Sequence, residues 1–187
     1  PYGMKLKLNM TRLIGISGNP KDVILAAQRG QTQGAIGNFT MLHLTGNDFH
    51  AENITFGNYC NVDLIYEPNA KLNRKKRSNA IVQAQLVICN GTRYTAKNCE
   101  FISRLNLCPF AGAKDVTFEE CYFECTDDAL CGTGKHIRCR FTLFSSKPFY
   151  TTSRTGAYFY DCDIHSKTTG TQYLTKVSGP VTLEKCR

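Results

Sequence analysis

Apolar and polar positions alternate in short stretches along this chain, and the stretches recur as one phrase. The phrase is an aromatic or aliphatic pair, a polar bend, then Cys or Ile, one polar residue, and Phe or Ile. It occupies residues 49–56 (FHAENITF), 94–101 (YTAKNCEF), 116–123 (VTFEECYF), 136–141 (HIRCRF), 159–164 (FYDCDI) and 181–186 (VTLEKC). Alternation of period two predicts strands. Units repeated at roughly 18 to 24 residues, each too small to bury its own apolar face, predict a solenoid whose neighbours complete one another's core. The predicted fold class is therefore all-β, a right-handed single-stranded parallel β-helix of some seven or eight turns at about 22 residues each.

Cys99, Cys121, Cys139, Cys162 and Cys186 hold the same place in successive units, with Ile54 expected in that place two turns before Cys99. Stacked coils bring equivalent inward side chains to about 4.8 Å of one another, where Cys serves as a small buried hydrophobe. Ten Cys would suit a disulfide framework in a short secreted domain with a poor core, but a long periodic core favours free thiols on the ladder. Cys60, Cys89, Cys108, Cys125 and Cys131 lie off it, and one pair among them has room to bridge. With no CxxC and with His43, His50, His136 and His165 scattered, no metal site and no cofactor is expected.

The 187 residues suit one module, and no apolar run approaches the roughly 20 residues of a membrane span, so no membrane insertion is expected. The chain starts at Pro1 and stops at Arg187 on a ladder position, so the helix is expected to be incomplete at both ends, a piece of a longer protein with a neighbouring domain. The net charge of +8 is concentrated: residues 71–77 (KLNRKKR) hold five basic side chains within a polar stretch, 61–79, that interrupts the repeat and contains Pro68. That stretch is expected as a basic loop inserted into the coil, solvated and flexible in its plainest reading. Basic and aromatic residues do not interleave as in RNA-recognition modules, so nucleic acid is not the expected partner. An acidic polysaccharide lying on the long flat face of a β-helix fits better.

The order of the phrases resembles the pectin methylesterase family over nearly the whole chain. Residues 9–25 (NMTRLIGISGNPKDVIL), 40–58 (TMLHLTGNDFHAENITFGN), 83–93 (QAQLVICNGTR) and 98–101 (NCEF) are similar, in order, to four successive segments of that family. The resemblance implies a secreted, periplasmic or cell-surface protein that handles pectic, galacturonate-rich plant polysaccharide. In the family, one Asp attacks the methyl-ester carbonyl and a second Asp protonates the leaving methanol and then activates water. A Gln pair stabilises the oxyanion, and an Arg orients the nucleophile.

Carried over position by position, the family's DFIFG motif falls on DALCG, making Asp128 the candidate nucleophile, and its QAV motif falls on Gln83, a candidate oxyanion donor. The remaining positions depart. The QDTL motif falls on residues 105–108 (LNLC), so the second Gln becomes Leu105 and the acid/base Asp becomes Asn106, whose amide cannot shuttle a proton at neutral pH. Such a loss removes about 10²- to 10⁴-fold in rate. The Arg of the YLGRPW motif falls on Lys176, which keeps charge but not bidentate pairing. Substrate contacts are also expected from Asp127, from the ring pair Phe149 and Tyr150, for which inward packing is the competing expectation, and from Arg154.

Two other readings stay open on the residues. Asp127 and Asp128 side by side suggest a glycoside hydrolase, provided Asp161, Asp163 or Asp115 joins the pair on one face at about 5 to 9 Å. Equally, Thr126, Asp127 and Asp128 suit hydrogen bonding at a coil corner, and a catalytically silent polysaccharide-binding module satisfies the same pattern. The N-x-T triplets at Asn9, Asn38, Asn53 and Asn90 follow from a Thr- and Asn-rich repeat, and no glycosylation is inferred from them.

Overall fold

The computed structural model describes residues 4–31, 40–105, 107, 109–126, 130, 133–149, 156–177 and 179–187. The strands form three parallel sheets. Sheet A contains β1 (Met4–Lys7), β4 (Thr40–Thr45) and β7 (Gln85–Asn90). Sheet B runs through β2 (Thr11–Ile14), β5 (Phe49–Glu52), β8 (Thr92–Lys97), β10 (Lys114–Glu119), β12 (Gly134–Ile137), β14 (Ala157–Tyr160) and β16 (Val181–Glu184). Sheet C runs through β3 (Ile24–Ala27), β6 (Thr55–Asn58), β9 (Glu100–Arg104), β11 (Tyr122–Cys125), β13 (Arg140–Leu143) and β15 (Asp163–Ser166). The chain visits A, B and C in turn and each strand pairs in parallel with its counterpart one coil on, the topology of a parallel β-helix. Seven strands in sheet B give seven coils.

The recurrent phrase is the B-to-C corner. Asn53, Asn98, Glu120, Arg138, Asp161 and Lys185 each adopt a left-handed conformation there, with φ between 46° and 57°. That single reversed residue turns the chain sharply between two strands, and Asn is among the few residues that tolerate it cheaply. The Asn98 side-chain amide also offsets part of the cost by donating to the Asn53 Oδ1 one coil below at 2.8 Å. The next residue inward is the ladder Cys, whose thiol is directed at the carbonyl two residues back: Cys99 at Lys97 (3.3 Å), Cys121 at Glu119 (3.3 Å), Cys139 at Ile137 (3.4 Å) and Cys162 at Tyr160 (3.4 Å). A small side chain with one weak donor fits this tight corner. All eight cysteines among the described residues are free thiols, the ladder members included; Cys108 and Cys131 lie outside them.

Ile54 occupies the rung directly beside Cys99, not two turns away: the Glu100 amide donates to the Ile54 carbonyl and Thr55 pairs with Glu100. The expected extra turn is instead an excursion after β6, which lengthens one coil without adding a rung.

Two ladders of rings fill the core. On sheet C, Phe56, Phe101, Phe123 and Phe141 stack nearly parallel at centroid separations of 5.2, 5.2 and 4.7 Å. On sheet B, Phe118, His136 and Phe159 stack at 5.1 and 4.5 Å. Each buried Phe contributes about 1.5–3 kcal/mol by removal from water, and offset or edge contacts add roughly 0.5–1.5 kcal/mol. His136 lies wholly inside, and burial pushes its imidazole down to about 4.

The stretch 61–79 is built as a hairpin. Leu64 and Arg74 pair antiparallel, Asn69 caps a single 3₁₀ turn at Ala70–Leu72, and Asp63 accepts from the Lys76 amide at 2.7 Å. Leu64, 4 % exposed, sits on the bare backbone of Gly57, where a Cβ would lie 2.5 Å from a Leu64 methyl. Tyr66 donates its hydroxyl to the Asp22 carbonyl at 3.3 Å. The hairpin is therefore folded back over sheet C and fastened there. Among the described residues no helix is long and apolar enough to cross a membrane.

Candidate functional site

Sheet A changes character along the helix. In the first three coils it is a paired sheet, with Leu42 opposite Val87 and Leu44 opposite Cys89. Beyond β7 it continues, among the described residues, as isolated parallel pairs: Ile88 with Ala111, Leu130 with Phe149, and Phe149 with Thr175. The stretches singled out for chemistry follow this side. Gln83 leads into β7. Leu105 and Leu107 lie alongside it, accepting from the Ala84 and Leu86 amides at 3.2 and 2.9 Å. Leu130 donates to Pro148, Phe149 to Leu174, and Lys176 to Phe149 (3.3, 3.1 and 2.8 Å).

Asn106, Asp127, Asp128, Tyr150 and Arg154 lie outside the described residues. Gln83 is half-buried, and its backbone is held from several sides. Asn61 clamps the peptide just before it, donating to the Val82 carbonyl at 2.6 Å and accepting from the Val82 amide at 3.0 Å. Asn58, wholly buried, bonds the Gln85 carbonyl at 3.1 Å while holding both the amide (3.1 Å) and the carbonyl (2.8 Å) of Arg29. Buried Ser103 donates to the Ala84 carbonyl between them. Thr40 reaches the Gln85 amide oxygen at 2.5 Å. Buried polar groups satisfied this fully rigidify the backbone they hold, so the entry to β7 is a fixed platform.

Lys176 is exposed and stands one residue from the Phe149–Thr175 pair. Phe149 departs from the expectation of a sugar-stacking ring. It is 4 % exposed, meets Phe159 edge-on at 5.3 Å, and lines an interior cavity of about 30 Å³ with Leu130, Thr133 and His136. Inward packing, the competing expectation, is what the core demands of a large apolar ring at this alternation.

The glycosidase geometry required Asp115, Asp161 or Asp163 on the side of the Asp127–Asp128 pair. Asp115 opens β10 and accepts from Thr92 at 2.9 Å; Asp161 is a B-to-C corner residue; Asp163 lies in β15 and pairs with Arg187. None is on sheet A, and the Asp127–Asp128 pair that one of them would have to meet lies outside the described residues.

Two residues of this region escaped sequence reasoning. His43 lies on sheet A between Lys5 and Ile88 in register, and burial, then Lys5, then Arg29, lower its pKa. It is neutral near pH 7, able to donate from one nitrogen and accept at the other. Its signal was its place in the alternation of TMLHLT. Arg104 closes β9 just before Leu105, paired with Glu124 at 2.7 Å and lying 3.7 Å over the Phe144 ring. That pairing depends on the next coil and has no local sequence mark.

No protein-family model and no curated protein matches the chain. Among solved structures it is similar to an Asp-to-Ala mutant of a pectin methylesterase in complex with hexasaccharide IV: TM-score 0.60, 14% identity, 89% of this chain and 55% of that one. It is also similar to the rice weevil pectin methyl esterase, with TM-score 0.57, 11% identity, 87% of this chain and 57% of that one. The chain thus spans a little over half the length of each. With three parallel sheets in register and these two likenesses, the chain carries the parallel β-helix fold of the pectin methylesterases.

Proposed function

We propose that this chain is a pectinesterase-like module of a secreted or cell-surface protein. It takes galacturonate-rich polysaccharide along the sheet A side and hydrolyses its methyl esters slowly through Asp128. The observation that carries the reading is that the four family-like stretches run in order over the first three coils of a fold shared with a pectin methylesterase bound to a hexasaccharide. In this mechanism an Asp128 carboxylate oxygen adds to the ester carbonyl carbon, and the Gln83 amide donates to the oxygen that becomes negative. The carbon–methoxy bond then breaks, methoxide takes a proton from solvent water and leaves as methanol, and the hydroxide so formed hydrolyses the resulting anhydride to return the Asp128 carboxylate and a galacturonate carboxylate with release of one proton. The exposed Lys176 ammonium supplies a charge for neighbouring galacturonates.

The proton step is the weak point, because Asn106 stands where the family has its acid/base Asp. That substitution favours a second reading, a silent polysaccharide-binding module serving a neighbouring domain of a longer chain. Methanol release from highly methylated pectin separates them, measured for the parent, Asp128→Ala and Asn106→Asp. Slow release that disappears in Asp128→Ala and rises about 10²-fold or more in Asn106→Asp supports the esterase. No release from the parent, with retained binding to pectin, supports the silent module.

A further inference from the structure

The outer face of sheet C and the hairpin folded over it enclose a groove of about 440 Å³ on a different side of the molecule from sheet A. Its volume is that of an organic ligand rather than an ion. Ile24 and Ile102 of the sheet, with Val62, Leu64 and Ile65 of the hairpin, give it an apolar lining. Along that lining stand four carboxylates, Asp63, Glu67, Glu100 and Glu124, against two cations, Lys21 and Arg140; Glu124 is already paired with Arg104, so the excess of negative charge rests on Asp63, Glu67 and Glu100. The groove is thus acidic on a chain whose net charge is +8. The hairpin sorts its own charges in the same sense: the acidic limb with Asp63 and Glu67 lines the groove, and the basic limb 71–77 is absent from it. Among the described residues no three His, Cys, Asp or Glu side chains gather as a metal site, so the carboxylates are spread along the groove instead of converging.

An acidic polymer is repelled by such a lining. A partner with alternating apolar and cationic side chains matches it, since an extended strand presents its side chains alternately to the two walls. Long basic side chains also suit both components, laying their aliphatic stems on isoleucine while the charge reaches a carboxylate. We infer that this groove binds an extended peptide segment bearing lysine or arginine between apolar residues. Leu64 seated on Gly57 holds the hairpin wall at a set distance from the sheet, so the groove exists before the peptide arrives.

The inference is independent of the polysaccharide reading, because it concerns sheet C and not sheet A. The test is fluorescence anisotropy with a dye-labelled hexapeptide of alternating leucine and lysine, beside its leucine–glutamate counterpart. The lysine peptide is expected to bind the parent and to weaken about tenfold in the Glu67→Gln, Glu100→Gln double variant, with a shallower salt dependence. A second variant, Ile65→Arg, puts a cation at an exposed groove residue and is expected to weaken binding without disturbing the core. Lys75→Ala, on the basic limb, is expected to leave the affinity unchanged or slightly raised. Equal affinity in both groove variants, or preference for the glutamate peptide, overturns the inference.

Discussion

Between Phe56 and Phe141 four rings lie nearly parallel, one per coil of sheet C, whereas on the sheet A side the later coils meet through single pairs such as Leu130 with Phe149. Sheets B and C set the register of the solenoid. Sheet A is paired in register over β1, β4 and β7 and continues among the described residues through isolated bridges, and positions named for chemistry follow it. A packed ladder tolerates little change of volume, while a side held by isolated bridges leaves more room for change.

The comparison can be broken most severely from the ordered side. Phe101 touches Phe56, Phe110, Phe118 and Phe123, so Phe101→Ala is expected to cost about 3–5 kcal/mol, read as a shift of the urea unfolding midpoint. A cost below 1 kcal/mol would mean that the ladder does not hold the coils together.

His136 tests the second ladder, on sheet B, by pH. Its imidazole sits at about 4 when folded against 6.5 as the ordinary value, so the unfolded chain binds the proton first as pH falls. Stability is then full above pH 6.5 and is lost progressively down to about pH 4, by about 3 kcal/mol at the acid end. His136→Phe, which continues the ring stack between Phe118 and Phe159, is expected to abolish that loss in unfolding curves at pH 7 and pH 4.5. An unchanged pH slope would assign the acid sensitivity elsewhere.

Asn58 ends β6 of sheet C and clamps the first residue of β7 in sheet A, so Asn58→Ala strands the Gln85 and Arg29 backbone groups that its side chain holds. The expected cost is about 2 kcal/mol. Faster amide exchange at the entry to β7 and at the adjoining end of β6 should accompany it, with the later sheet C strands β11, β13 and β15 protected as before. Exchange spread evenly over all three sheets would erase the distinction between the two sides.

The smallest effect comes from the corners. Asp161 holds φ 52°, which Gly adopts without strain, so Asp161→Gly is expected to raise stability by up to about 1 kcal/mol after the entropic cost of glycine. A loss instead would show that Asp161 makes a compensating contact in solution.

These contrasts also mark what was legible in the sequence. The B-to-C corner repeats because one left-handed residue, one small inward residue and one ring are each required there, so the phrase exposed the fold, the rungs and the free thiols. Ile54 was misplaced because 45 residues, from Thr55 to Glu100 in register, pass in a single turn, and spacing alone counts residues, not turns. Phe149 was read among candidate sugar contacts because a ring beside polar residues looks alike in or out until its neighbours are known. His136 looked like one of four scattered histidines, since the rings that flank it lie 18 and 23 residues away in the chain. The clamps of Asn58 and Asn61 at β7 connect residues 21 and 27 apart, beyond any local pattern.

The hairpin that lengthens one coil has a geometric consequence. Because residues 61–79 leave and return at one corner, they add mass sideways and nothing along the axis. Seven coils span six steps of about 4.8 Å, so about 29 Å separates the first from the last. The molecule is in that sense a ruler graduated in turns: two probes placed on the first and seventh coils would report the same distance whether the hairpin were trimmed, exchanged or doubled.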